Sequence, residues 1–484
     1  MKYFLTFTVV LLSQLSIAQN ETPKDTIKTA ELKEVVVGSK KKSIDQRADR
    51  TIFDFSEQSH LNSGSLMEGL KKLPGLIVSD VAGMMYQGKQ LEVFMDTRPL
   101  NIYSNELTSY LESLPEKKKK KVEIITQPGA EFPATSGGAI INIITSKNAK
   151  KYLSATYSNG YSYTKYDQSR HRLNNSLLLN SKNKWFGWQI QAGQNYNEGY
   201  QRTNFRNENV VLSKNVSDRI NRFYFFKTGL KFDFKKDRLL VNYDFSTSNN
   251  NALVDASGVG FQSSDKSNNE LDRNDVAINY QKRFTDKSKK LDFRFNANSV
   301  KNDFELMNRT SGNSVLDNGF NQLFYQFKTD YSQDLSVLDK TKFSSGILAD
   351  KLEFEALNLG VTNLDYQRTT LSAYSEFQTS YNKFDFIMGG RLESYSITGN
   401  TDSAKLIPFK QTRFFPNATL QYNIIPQVFV NANYNKKISL PNTSALNPNN
   451  TSYQNPNVSI FGNPNLEPTI FDNYEVKISA FEYF

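Results

Sequence analysis

Cysteine is absent from this 484-residue chain, and histidine occurs only at His60 and His171. The first absence excludes disulfides, thiol chemistry and cysteine metal sites. The second leaves no histidine cluster for a metal or for acid–base work, so neither a metal site nor a cofactor is expected. Hydrophobic residues make up only 38% of the chain. After the first segment no apolar run reaches the ~18 residues that a membrane helix requires. A GxSxG nucleophile elbow is missing, as is a convincing pair of acids, so no catalytic residue is assigned and an enzyme is not expected. The net charge of +10 could suggest nucleic acid. The basic residues are dispersed, however, except at Lys117 to Lys121, where five like charges call for solvent or an acidic partner. Nucleic acid is therefore not an expected partner.

Aromatics are abundant, at 13% of residues, with 25 Tyr and 35 Phe. Disordered chains are poor in these residues. Strands that alternate a strongly apolar face with a polar one reconcile the low hydrophobic average with the aromatic excess. The N-terminus reads as an export address. Lys2 precedes the apolar run Phe4 to Leu12, and Ser16-Ile17-Ala18 supplies small residues for cleavage before Gln19. Residues 1–18 are expected to be a signal peptide and residues 19–31 a flexible polar segment.

Residues 32–147 read as a small α+β domain. Leu32 to Gly38 (LKEVVVG) is a β-prone run, either the first strand of a small sheet or an exposed strand that a partner extends. Thr51 to Phe55 is a further strand. A helix is expected over Ser65 to Leu73, with Ser65 and Glu68 spaced as a capping box and Leu66, Leu70 and Leu73 on one side, ended by Pro74-Gly75. Strands follow at Leu76 to Val78 and Leu91 to Met95, with a turn at Gln87-Gly88, then a helix from Ser104 through Leu111. Two more strands, Val122 to Thr126 and Ala139 to Thr145, flank a connector holding Pro128, Gly129, Pro133, Gly137 and Gly138. Proline fixes its own backbone, and glycine permits positive φ or close approach, so this connector is a specified one.

From about Lys151 the period becomes two. Leu291, Phe293, Phe295 and Ala297 share one face, and Asp292, Arg294, Asn296 and Asn298 the other. Leu239, Val241, Tyr243 and Phe245 repeat the pattern, as do Val276, Ile278 and Tyr280; Trp188, Ile190 and Ala192; and Phe384, Phe386 and Met388. Short polar turns are expected at 181–184, 235–238 and 286–290. Longer Asn/Ser-rich segments lie around 246–270, 309–320, 397–408 and 440–460. Short connections on one side and long ones on the other suit a membrane barrel, its apolar face toward lipid and its polar face lining the interior.

The chain resembles the TonB-dependent outer-membrane receptors, especially the group common in Bacteroidetes. The resemblance rests on Leu32 to Gly38, LKKLPGLIV at 70–78, VFMDTR at 93–98, VEII at 122–125, Pro128-Gly129-Ala130, GGAIINIIT at 137–145 and FGNPNLEP at 461–468. It implies a transmembrane antiparallel β-barrel over 151–484, with the N-terminal α+β plug domain of 32–147 inside its lumen. The family barrel has 22 strands. Roughly 335 residues, at about 20 to 24 per strand and turn, supply about 14 to 17, so a C-terminally incomplete receptor is expected. The implied function is gated import of a scarce nutrient across the Gram-negative outer membrane, foremost a ferric siderophore. Oligosaccharide, peptide or cobalamin uptake and a non-transport structural role are the alternatives. The implied partners are the TonB–ExbB–ExbD energising complex, outer-membrane lipid, the nutrient and a surface lipoprotein. Leu32, Glu34, Val35, Val36 and Val37 are the energy-coupling candidates. Pro74, Gly75, Pro128, Gly129, Gly137 and Gly138 form the plug motif, and Met84, Met85, Tyr86 and Arg98 are ligand-contact candidates.

Overall fold

A computed structural model describes residues 44–55, 66–79, 83–86, 89–95, 98–99, 111, 121–135, 139–144, 152–165, 169–207, 210–258, 260–309, 313–425, 428–449 and 460–480. Leu32 to Gly38, Gly137, Gly138, the Gln87-Gly88 turn and all but Leu111 of the Ser104–Leu111 helix lie outside them.

The N-terminal unit contains β1 (Ile44–Gln46), β2 (Arg50–Asp54), α1 (Leu66–Lys71), β3 (Leu76–Ser79), β4 (Gly83–Tyr86), β5 (Lys89–Met95), β6 (Arg98–Pro99), β7 (Lys121–Ile125) and β8 (Ala139–Ile144). The sheet order is β1-β2-β7-β8-β5-β4-β3, with β6 beside β5. The β5–β8 pair is parallel. In β8 the run AIINII, apolar except for Asn142, is buried on both faces, as a central strand covered on both sides must be. Ala139, Ile141 and Ile143 point into the core shared with Leu66, Met67 and Leu70 of α1. Ile140 points the other way, to Phe94, Ile125 and Phe132. Helix α1 keeps Glu68 and Lys71 exposed. Its chain then turns through Gly75 at φ +78°, a left-handed conformation that disfavours any side chain.

The second unit is a fourteen-stranded antiparallel sheet in simple up-and-down order, at the low end of the expected strand number. Its first half is β9 (Tyr152–Lys165), β10 (Ser169–Lys182), β11 (Phe186–Asn207), β12 (Val210–Asp233), β13 (Arg238–Gly258), β14 (Phe261–Arg283) and β15 (Lys289–Asn308). The second half is β16 (Ser314–Leu335), β17 (Asp339–Asn358), β18 (Val361–Tyr381), β19 (Phe384–Thr401), β20 (Phe409–Ile425), β21 (Val428–Ser439) and β22 (Thr469–Ala480). A four-residue helix, α2 (Thr443–Leu446), lies between the last two strands. The sheet forms a β-barrel wall, and the N-terminal unit sits as a plug against the inner face of β16 to β22.

The alternating pattern places its faces as expected. Ile190, Ile278, Phe295, Phe386 and Met388 are exposed on the outside, whereas Glu376, Arg391 and Glu393 are buried on the inside. Short turns occur at 183–185, 234–237 and 284–288, near the expected positions. Exposed aromatics gather beside that row of turns: Trp185, Phe234, Phe284, Tyr381, Phe384 and Tyr422. Such a girdle belongs at a membrane–water boundary.

The Asn/Ser-rich segment 246–270 corrects one expectation, because it is strand almost throughout. β13 and β14 pair without a break from Arg238↔Gln281 to Gly258↔Phe261. The strands of this hairpin run for 21 and 23 residues, about twice the 9–11 needed to cross a bilayer. Their far halves hold polar runs at 246–251 and 262–270 that show no apolar alternation, although Ala252, Val254 and Ala256 are buried on one face. The asymmetry between the two rims therefore resides here in projecting strands more than in loops.

Candidate functional site

The connector after β7, residues Thr126 to Thr135, is where plug and wall meet most closely. Apart from the turn in which Phe132 donates to the Gly129 carbonyl at 3.1 Å, it lacks a backbone ladder of its own. Buried backbone groups must nevertheless be satisfied, and here the wall supplies the partners. On the donor side, the Ala130 N–H reaches Glu376 Oε2 in β18 at 2.7 Å, and the Ala134 N–H reaches Glu393 Oε1 in β19 at 3.1 Å. On the acceptor side, the Pro128 carbonyl receives Lys437 Nζ from β21 at 3.1 Å. The Ala130 carbonyl receives Arg391 from β19 at 3.3 Å, and the Glu131 carbonyl receives Lys328 Nζ from β16 at 2.7 Å. Carboxylates thus meet N–H groups and cations meet carbonyls, the charge-assisted arrangement that makes a hydrogen bond strong.

Each wall group is itself held. Arg391 and Glu393 pair with each other, and the Tyr395 hydroxyl donates to Glu393. Gln378 and Asn417 donate to Glu376 at 2.8 and 3.3 Å. Lys328 lies 3.1 Å from Asp330 and 5.5 Å from the centre of the Tyr374 ring. Amide contacts extend the interface, with Asn435 donating to Gln127 at 2.8 Å and Asn431 to the Ala48 carbonyl at 2.7 Å. Lys89 of the plug pairs with Glu475 in β22.

Behind the connector, Arg50 holds three acids of the plug, Asp49 at 2.6 Å, Glu131 at 3.0 Å and Glu123 at 3.4 Å. Asn142 donates to Glu123 at 3.0 Å. Burial would lower the guanidinium's proton affinity, but Asp49 and Glu131 outweigh it and hold Arg50 above its ordinary value. Burial alone would push the Glu131 carboxyl up. Arg50, Lys342 and Lys328 together bring it down to about 2.

Of the residues singled out from sequence, Gly129 has the clearest structural reason. A Cβ there would lie 2.2 Å from Glu376 Oε2, so only glycine admits the wall carboxylate to the Ala130 N–H. Pro128 is buried and offers its carbonyl to Lys437, while Pro74 is exposed and Gly75 packs beneath the Tyr86 ring. Met84 and Tyr86 are buried in the plug core. Met85 is half-buried, and Arg98 takes part in β6 through its backbone. Lys328, Glu376, Arg391, Glu393 and Lys437 were not singled out. Their only sequence signal is period two, as in Tyr374-x-Glu376-x-Gln378 and Arg391-x-Glu393-x-Tyr395, where charge and aromatic ring share the inner face.

Residues 325–484 match the family model described as the outer membrane protein beta-barrel family. No curated protein sequence matches the chain. Among solved structures, the siderophore receptor PirA of Pseudomonas aeruginosa is similar at 14% identity, covering 90% of this chain and 72% of its own, with a TM-score of 0.62. The ferric enterobactin receptor PfeA of the same organism, solved with enterobactin, is similar at 12% identity, with coverage of 90% and 70% and a TM-score of 0.64. The Serratia marcescens hemophore receptor HasR, solved with its hemophore HasA and heme, is similar at 12% identity, with coverage of 89% and 69% and a TM-score of 0.61. At such identities the likeness is one of fold: the chain is a large antiparallel β-barrel with an N-terminal α/β domain positioned as its plug.

Proposed function

We propose that this chain is a TonB-dependent receptor of the Bacteroidetes kind, which imports a small scarce nutrient, foremost a ferric chelate, across the Gram-negative outer membrane. The observation that carries the reading is the connector held by Glu376, Arg391, Glu393, Lys328 and Lys437. A plug fastened by hydrophobic burial would resist water, whereas one fastened by charged hydrogen bonds can exchange those partners for water as it shifts. Force on the N-terminal segment, with Leu32, Glu34, Val35, Val36 and Val37 as the coupling strand, would loosen this contact and open a path along the inner wall. The fold likeness to receptors described as binding siderophores or heme supports an iron-bearing ligand. The reading requires no bond chemistry of the chain, and a surface lipoprotein partner is compatible with it.

The same proposal includes further strands in the intact receptor. Among the described residues β9 and β22 each have one neighbour in the sheet, and an unpaired edge in lipid is costly. The intact mass of the receptor isolated from outer membranes tests this part. A mass equal to residues 19–484 overturns it.

Import is tested by deleting the complete gene and measuring ferric-chelate uptake under iron limitation. Loss of one chelate's uptake is expected, with recovery by the full gene and none by a gene lacking residues 19–38 that is still surface-expressed. Because cysteine is absent, Gln127→Cys with Asn435→Cys can be bridged by a short bifunctional maleimide. Bridging should stop uptake and leave ligand binding intact. Unchanged iron uptake in the deletion strain would sink the ferric reading.

A further inference from the structure

The outer face of β16 to β20 carries a groove of about 340 Å³. Cross-strand register shows how it is made. One row across the five strands reads Phe327, Ala349, Leu371, Ser394, Thr412. The next row toward the short turns reads Ile347, Ala373, Leu392, Phe414 on β17 to β20. Small side chains at Ala349 and Ala373 sit between the exposed Ile347, Leu371 and Leu392, leaving an apolar channel. At its end the Thr412 hydroxyl donates to Ser394 at 3.1 Å.

The row on the other side, away from the short turns, is polar: Tyr325, Lys351, Thr369, Ser396, Lys410. The groove therefore lies at the level where the outward face changes from apolar to cationic and hydroxylic. Toward the short turns the outer positions of β19 remain largely apolar, through Leu392, Met388, Phe386 and Phe384. Lys351 pairs with Glu353 at 2.5 Å. Lys410 is exposed and makes no ion pair among the described residues.

We propose that this face is a specific lipid site, seating an acyl chain of a phosphate-bearing outer-leaflet lipid in the groove with its phosphate held by Lys351 and Lys410. The inference rests on the barrel's spanning the outer membrane as read above. An acyl chain fits the apolar channel by shape, the hydroxyl pair suits an ester or amide at the head of that chain, and the lysines supply the charge complement. A zwitterionic headgroup would bring its own cation toward Lys410 and gain less.

The test uses the full receptor reconstituted in vesicles, then extracted in mild detergent for native mass spectrometry. Vesicles contain either a phosphorylated acyl lipid or a phosphate-free lipid with the same chains. Wild type should retain the phosphorylated lipid preferentially. The doubly substituted K351E/K410E should lower that retention about tenfold, from the attraction of two lysines to an anionic headgroup. Ala373→Trp, which fills the groove, should lower retention of both lipids. Lys301→Glu, on an exposed lysine of β15, should change neither. Heat-modifiable migration on gels checks that each variant is folded. Equal retention of both lipids by wild type, or unchanged retention in K351E/K410E and Ala373→Trp, would mean annular lipid only and overturn the proposal. Failure of wild type to enter vesicles at all would instead overturn the membrane reading.

Discussion

Gly129 shows how one absent atom can set an interface. Gly129→Ala puts a Cβ 2.2 Å from the Glu376 carboxylate, which must retreat and leave the Ala130 N–H without its partner. Leaving a buried donor unpaired costs about 1–3 kcal/mol. The expected result is an intact barrel with a loosened plug, read as wild-type heat-modifiable migration together with faster uptake of a large antibiotic by whole cells. Wild-type permeability would count against the contact. Glu131 adds a pH dependence whose sign is fixed by its environment. Its carboxyl titrates near 2 in place of the ordinary 4.5. It therefore contributes stability in full above about pH 4.5, and loses that contribution as pH falls toward 2. Glu131→Gln should lower the urea midpoint of plug release at neutral pH, and its curve should converge with wild type as pH approaches 2. A constant gap between the two curves would show that Glu131 acts through packing.

At the scale of elements, much was legible in the sequence wherever one face differs chemically from the other. The Leu66, Leu70 and Leu73 stripe located α1, and the two-residue period located the strands through Phe295, Ile278 and Met388. The 246–270 segment was not legible. The runs 246–251 and 262–270 are polar at every position, so the period that marks a strand vanishes there while the hydrogen-bond ladder continues. The wall residues that hold the connector were hidden for a related reason. Glu376 and Lys437 resemble any other luminal polar residue, and their partners are 246 and 309 positions away. What distinguishes them is that they meet a connector whose backbone makes few bonds to itself, the Phe132–Gly129 turn being one, so that side chains of the wall complete its pairing. Removing two such cations should therefore act on the plug and spare the barrel. Lys328→Met with Lys437→Met leaves the carbonyls of Glu131 and Pro128 unpaired, at about 1–3 kcal/mol each. In planar bilayers, the urea concentration at which conductance appears should fall, while the barrel's own unfolding midpoint stays within error. Simultaneous loss of both transitions would show that plug and wall unfold as one unit.

For the molecule as a whole, the two tryptophans report on how the barrel sits. Trp185 is in the short turn between β10 and β11, and Trp188 faces outward as the third residue of β11. The exposed aromatics beside the neighbouring turns place both within one girdle. The girdle belongs at the headgroup level, because indole and phenol rings pair an apolar body with a polar edge. Outward apolar positions continue from Trp188 through Ile190 and Ala192 toward the opposite rim. Trp185→Phe leaves Trp188 as the only emitter, and Trp188→Phe leaves Trp185. In vesicles of brominated lipids both emissions should be quenched. Trp185 should respond most to bromines near the headgroup, and Trp188 to bromines farther along the acyl chain. The order follows from strand direction alone, since each residue beyond the turn advances by about 3.3 Å along a tilted strand. Reversed depths would invert the barrel's placement about that rim, and the absence of quenching in both variants would remove the lipid-facing surface on which the outer-membrane reading stands.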